Sequence, residues 1–137
     1  MIKYVVGFAF DNDYRNILLI RKNRPKWQKG KLNGIGGKIK LFESNINAMV
    51  REFEEECGLK TNHLDWIPLM VISGKEWKVY FYYTELTYLS LAKTTTDEEV
   101  INIPMDKFYD YKDDVLPNLL WLVPMAIDKD PRSMFIF

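Results

Sequence analysis

Residues 36–59, "GGKIKLFESNINAMVREFEEECGL", place four glutamates among the six positions 51–56, and Glu54, Glu55 and Glu56 are consecutive. The stretch reads as a turn followed by a helix. Ser44 is placed to cap the helix, Ile46, Met49, Val50, Phe53 and Cys57 recur at helical spacing, and Gly58 suits its C-terminal end. At about 100° per residue, Ile46, Val50, Phe53 and Cys57 define a stripe expected to be buried. Glu52, Glu55 and Glu56, spaced i, i+3, i+4, share an arc of roughly 100° on another side. Glu54 falls away from that arc and faces solvent. The run of charges resolves into a trio and a bystander.

Three carboxylates on one arc repel one another, by about 0.2–0.5 kcal/mol for each i, i+4 pair. Arg51, one turn before Glu55, offsets part of this. A divalent cation would offset far more, and oxygen ligands without His or Cys suit Mg²⁺ or Mn²⁺ held together with substrate phosphates. Two neighbours favour that reading over a solvated acidic face. "NGIGGK" at residues 33–38 lets bare backbone approach a ligand, and Glu43 sits where a helix N-terminus favours negative charge.

The remaining sequence frames this segment. With 137 residues, 47% of them apolar, the chain is expected to fold as a single domain over residues 1–137. Nineteen basic residues balance nineteen acidic ones, so no overall field points to nucleic acid or a membrane surface. One cysteine excludes an internal disulfide and a Cys-rich zinc site. The N-terminus does not read as a signal peptide, which makes a soluble, cytoplasmic protein the expectation.

Residues 4–10 and 16–22 read as a hairpin about "DND". Residues 23–37, dense in Gly, Pro, Asn and Lys, read as a loop. Strands are expected at 65–74, 76–86 and 98–104, with a short helix at "MDKFYDY". A helix is expected at 118–128, with Leu119, Leu122, Val123, Ala126 and Ile127 on one face and a kink at Pro124. "SMFIF" suggests a last strand. Strands around two main helices predict a mixed α/β or α+β sandwich.

Gly37, five residues, Glu43, seven residues, then Arg51-Glu52-Phe53-Glu54-Glu55-Glu56-Cys57-Gly58-Leu59 resembles the Nudix box, G-x5-E-x7-R-E-U-x-E-E-x-G-U with U apolar. All nine constrained positions over 23 residues agree. The resemblance implies an α/β fold, the Nudix α/β/α sandwich with a mixed β-sheet, whose box helix carries the metal site. It implies hydrolysis of a nucleoside diphosphate linked to another moiety, with Mg²⁺ or Mn²⁺. By position, Glu55 and Glu56 would be metal ligands, the Gly37 carbonyl another, and Glu52 a ligand or the base that activates water. Arg51 would orient the glutamates, and Glu43 would fix the loop to the helix. The family often adds a glutamate from outside the box. "TTDEEV" offers Glu98 or Glu99, and Glu98 is preferred.

The likeness extends loosely along the chain to the MutT-type, oxidised-purine nucleoside triphosphatase branch, through "GKLNGIGGKI" and the pattern of proline, aromatic, proline and terminal Phe-x-Phe. It implies that Asn33 touches base or sugar and that Asn118 reads the purine edge. That branch carries two adjacent aspartates where this chain has Asn118 and Leu119; asparagine can both donate and accept, but leucine cannot hydrogen-bond. Lys22, Arg24, Lys26 and Lys29 lie where triphosphate oxygens would be met, and Trp27 could stack on a base, although all four tryptophans also read as packing residues. His63 reads as a surface residue and Cys57 as core. A nucleoside triphosphate pyrophosphatase, including one for oxidised purines such as 8-oxo-dGTP, is therefore expected. The alternatives are a dinucleotide, nucleotide-sugar or capped-RNA hydrolase, or a non-catalytic nucleotide sensor. The expected partner is a nucleotide, without membrane or extended nucleic acid, the chain acting as monomer or homodimer.

Overall fold

A computed structural model of the chain describes residues 1–129. Its central strand is β1 (Ile2–Phe10), buried without interruption from Val5 to Phe10. A strand this apolar needs cover on both faces. β1 pairs in parallel with β6 (Trp77–Glu85), from Ile2↔Trp77 to Phe10↔Glu85. It pairs antiparallel with β2 (Asn16–Arg21) and with β4 (Ile35–Lys38). β3 (Leu32–Asn33) and β7 (Val100–Pro104) flank β2, and β5 (Ile67–Ser73) flanks β6, completing a mixed seven-stranded sheet.

The period of two along β1 and β2 divides the interior. Val5, Ala9, Leu18 and Ile20 face α1 (Asn45–Cys57) and pack with Ala48, Met49, Phe53 and Cys57. Val6, Phe8, Phe10, Ile17 and Leu19 face the other way, against Leu119, Leu122, Val123 and Ala126 of α2 (Leu119–Asp128). Helix, sheet and helix form the expected α/β/α sandwich. Phe53, wholly buried and edge-on to Trp66, anchors the α1 side; losing such a ring costs about 3–5 kcal/mol.

The hairpin, the strands and both helices appear as expected, within a residue or two. "MDKFYDY" is a 3₁₀ turn, Met105–Tyr111, and Pro124 sits inside α2, which continues past it. The expected strand at "SMFIF" lies outside the described residues. One expectation is corrected: residues 23–37 are not all loop, because β3 and β4 lie within and beside them. Gly36 explains the misreading. A side chain there would run into the Val5 carbonyl, so the glycine permits close β4–β1 pairing rather than irregular backbone.

Helix α1 is capped as its sequence suggests. Ser44 Oγ accepts the Asn47 N–H at 3.2 Å, and Gly58 closes the helix at φ 80°. Its buried side differs from the expected stripe. Ala48, Met49, Glu52, Phe53 and Cys57 are buried, while Ile46 and Val50 are only partly covered. The rotation places Glu52 at the edge of the buried face. Among the described residues, no helix is long and apolar enough to cross a membrane.

Candidate functional site

Arg51 organises the first part of the site. Its Nε and Nη2 donate to the two carboxylate oxygens of Glu43 at 2.7 and 2.9 Å. Nη1 donates to Glu52 at 2.8 Å and Glu55 at 3.2 Å, and Nη2 also reaches the Lys38 carbonyl at 3.0 Å. This planar fork suits guanidinium and would not suit an ammonium. It ties α1 to the β4 end and to the preceding loop. The Arg51 guanidinium holds the Glu43 carboxyl down to about 2, aided by the Lys40 N–H.

The glutamate trio is not equivalent. Glu52 is buried (9% exposed), and burial raises its pKa despite the Arg51 contact. Its carboxylate abuts Gly37 so closely that a Cβ on Gly37 would collide with it. Glu55 is exposed and pairs with Arg51. Glu56 is half-buried, and burial raises its pKa; Lys22 opposes this, while Glu98 and Glu52 add to it. Glu54 is exposed, in agreement with its reading as a bystander.

Glu98 enters from the far side of the sheet order, just before β7. It is 3% exposed, whereas Glu99 is exposed. Lys22 Nζ donates to Glu98 Oε1 at 3.0 Å, and the Asn23 N–H donates to Oε2 at 2.6 Å. Next to it, Arg24 pairs with Asp97, which also raises the arginine and lowers the aspartate pKa. Lys22 and Arg24, expected at triphosphate oxygens, are thus both engaged by carboxylates in this structure.

Among the described residues, no three His, Cys, Asp or Glu side chains converge as a closed metal cage. The reason is visible in the partners: Glu52 and Glu55 turn to Arg51, and Glu98 turns to Lys22. The donor set still fits a hard divalent cation. It consists of oxygens only, the Glu56 carboxylate feels both Glu52 and Glu98, and the bare Gly37 position leaves a cradle that a side chain would fill. A shallow groove of about 550 Å³ bordered by Glu43, Asn47, Val50, Arg51, Glu54 and Glu55 runs along α1 and shares Arg51 and Glu55 with the candidate site. It holds neither Glu52, Glu56 nor Glu98, so it is not the centre of the candidate site.

The segments that carry Asn33 and Asn118 are joined at Leu32. Leu32 of β3 bridges Val115, and the Leu116 N–H donates to the Leu32 carbonyl at 3.0 Å. The segments bearing Asn33 and Asn118 therefore run side by side. Asn33 is buried; its Oδ1 accepts the Gly34 N–H at 2.8 Å and its Nδ2 points to Gln28 at 3.4 Å. Asn118 stands just before α2 without capping it, and among the described residues its buried Oδ1 has no hydrogen-bond partner. Leu119 is wholly buried in the α2 core, so it faces no ligand. Trp66 alone of the four tryptophans is buried; Trp27 (72% exposed, in the turn before β3), Trp77 and Trp121 are exposed, which corrects the packing reading for all three. His63 is exposed, and Cys57 is buried, its thiol pushed up to about 11 by burial.

The sequence missed the pinning of the Glu98 segment. Thr95 Oγ1 donates to the Glu55 carbonyl at 2.5 Å, and the Lys93 N–H donates to the Cys57 carbonyl at 3.1 Å, so residues 93–95 close the C-terminus of α1. The "TTT" run beside the acidic Asp97, Glu98 and Glu99 was the available signal.

A family model described as NUDIX domain matches residues 2–119. No curated protein matches the chain. Among solved structures, the chain is similar to MutT, compared between Aliivibrio salmonicida and Vibrio cholerae, at 22% identity, covering 90% of this chain and 97% of that one with a TM-score of 0.69. A NUDIX-family hydrolase from Clostridium perfringens is 21% identical, with 93% and 96% covered and a TM-score of 0.71. The NUDIX domain of Shewanella oneidensis NrtR, complexed with ADP ribose, is 15% identical, with 94% and 88% covered and a TM-score of 0.76. At these identities the likeness establishes the fold.

Proposed function

The chain belongs to the Nudix hydrolase family, a family of pyrophosphatases acting on acid anhydrides, and from that premise we propose that it hydrolyses a purine nucleoside triphosphate to the monophosphate and pyrophosphate. The observation that carries the substrate class is the buried Asn118 Oδ1, unpartnered among the described residues and two residues beyond the Leu116 N–H that bonds the Leu32 carbonyl of β3. A buried oxygen without a partner costs about 1–3 kcal/mol, and an N–H on a purine edge would satisfy it. Trp27, exposed in the turn that precedes that strand, offers an aromatic face for the base.

Mg²⁺ or Mn²⁺ held by Glu55, Glu56, Glu98 and the Gly37 carbonyl would neutralise the phosphates and lower the pKa of bound water, which leaves Glu52 as the base. The chain's own residues then have distinct tasks. Glu52, its pKa raised by burial, accepts the proton of the attacking water as the P–O anhydride bond breaks and pyrophosphate departs. Arg51 fixes the direction from which Glu52 does so. Lys22, already inside the site, supplies a cation that can pass from Glu98 to a phosphate oxygen.

The test is a panel of normal and oxidised nucleoside triphosphates, dinucleotides and nucleotide sugars with Mg²⁺, the products identified by ³¹P NMR. Release of pyrophosphate from purine triphosphates with the highest kcat/KM supports the assignment. Preference for a dinucleotide or a nucleotide sugar overturns the triphosphate, and tight binding without turnover of any member overturns catalysis.

A further inference from the structure

The carboxylates of the site come from two separate segments, α1 and residues 97–99, and one hydroxyl lies between them. Thr96 Oγ1 accepts the Glu98 N–H at 3.1 Å and donates to Glu56 Oε2 at 3.4 Å. A hydroxyl has a single proton. With the Glu98 amide occupying a lone pair, that proton is directed at Glu56. The two preceding threonines have other tasks: Thr94 Oγ1 accepts the Val100 N–H at 3.0 Å, and Thr95 holds the Glu55 carbonyl. Thr96 is therefore the member of the run whose hydroxyl reaches a carboxylate of the site.

We propose that Thr96 is a positioning residue: its hydroxyl fixes the Glu56 carboxylate and, through the Glu98 N–H, sets the spacing between the helix and loop halves of the cation site. The inference rests on the reading of Glu56 and Glu98 as cation ligands. Thr96 itself touches neither water nor phosphate in that reading. It acts as outer hydrogen-bond partners of ligating carboxylates act, whose removal typically costs about 10- to 100-fold in metal affinity or activity. The side chain is exposed, so replacing it opens no cavity.

The experiment compares Mn²⁺ binding, read from the electron paramagnetic resonance of free Mn²⁺, in the full chain and in Thr96→Val and Thr96→Ser, followed by kcat and KM at saturating Mn²⁺. Valine keeps the shape and removes the hydroxyl; serine keeps the hydroxyl. Thr96→Val is expected to raise the Mn²⁺ dissociation constant about tenfold or more, with KM for nucleotide little changed, and Thr96→Ser to restore binding to within about threefold. A valine variant that binds Mn²⁺ as the unaltered chain does, or a serine variant as weak as valine, overturns the role of Thr96 alone. An unaltered chain that binds no Mn²⁺ overturns the cation site and Thr96 with it.

Discussion

Replacing Glu43 with glutamine should destabilise the fold in a manner that depends on pH. The Glu43–Arg51 pair is two-pronged and largely shielded, with side-chain exposures of 13% and 20%. Glutamine preserves the shape and one acceptor but removes the charge. The fall of the Glu43 pKa from 4.5 to about 2 corresponds to at most ~3.4 kcal/mol at 1.36 kcal/mol per pH unit. Solvent screening and the acceptor that glutamine retains reduce the expected loss to about 2 kcal/mol at pH 7. For a chain of 137 residues that lowers Tm by about 6 °C.

The sign of the pH dependence follows from the direction of the shift. The folded-state pKa lies below the unfolded one, so the stabilisation is complete above about 4.5 and fades as pH falls toward 2. Less than half, about 40%, should remain at pH 3. Melting curves of both proteins without metal, at pH 7, 4 and 3, measure this directly. A Tm difference that is absent at pH 7, or undiminished at pH 3, would refute the assignment of the clamp's strength to the Glu43 charge.

Four further outcomes are expected. Glu56→Gln should abolish turnover while leaving the metal-free protein as stable as before or more so at pH 7; because burial raises the Glu56 pKa, the gap should close as pH falls, and retained turnover would remove Glu56 from the site. Gly37→Ala drives a Cβ into the Glu52 carboxylate and should lower kcat by about 100-fold or more with an unchanged far-ultraviolet dichroism spectrum, whereas wild-type kcat would place Glu52 outside the chemistry. Asn118→Ala removes the unpartnered oxygen and should reduce kcat/KM for purine triphosphates by about 10-fold or more without lowering Tm; equal loss with pyrimidines would contradict purine reading. Cys57, buried with its thiol pushed up to about 11, should resist iodoacetamide at pH 8 in the folded protein and react on unfolding, as mass spectrometry would show.

The parts of the site that are local in sequence were legible there. Ser44, Gly58 and the helix between them follow from capping chemistry and periodicity, and the box spacing named the glutamates. Glu98 was chosen over Glu99 without geometry, and the structure buries Glu98 beside Lys22. What escaped depends on contacts between distant segments. The glycines of β4 looked like loop because their close approach to β1 cannot be seen without β1. The burial of Glu52 was not visible because the helix rotation is set by Ala48 and Met49 against Val5 and Ala9. Leu119 stands where the related branch carries an aspartate, and leucine cannot hydrogen-bond; as the first residue of α2 it is wholly buried with Leu122, Val123 and Ala126.

The sheet's two faces carry different inheritances. Glu52, Glu55 and Glu56, proposed to act on the phosphates, belong to α1 on one face, while Asn118, proposed to read the base, stands at the start of the helix packed on the other. Substitutions across a packed sheet tend to act independently when they share no partners. On the proposed reading, a substitution at the entrance to α2 would change the base preferred without disturbing the carboxylates of α1. The apolar strands between them insulate one task from the other.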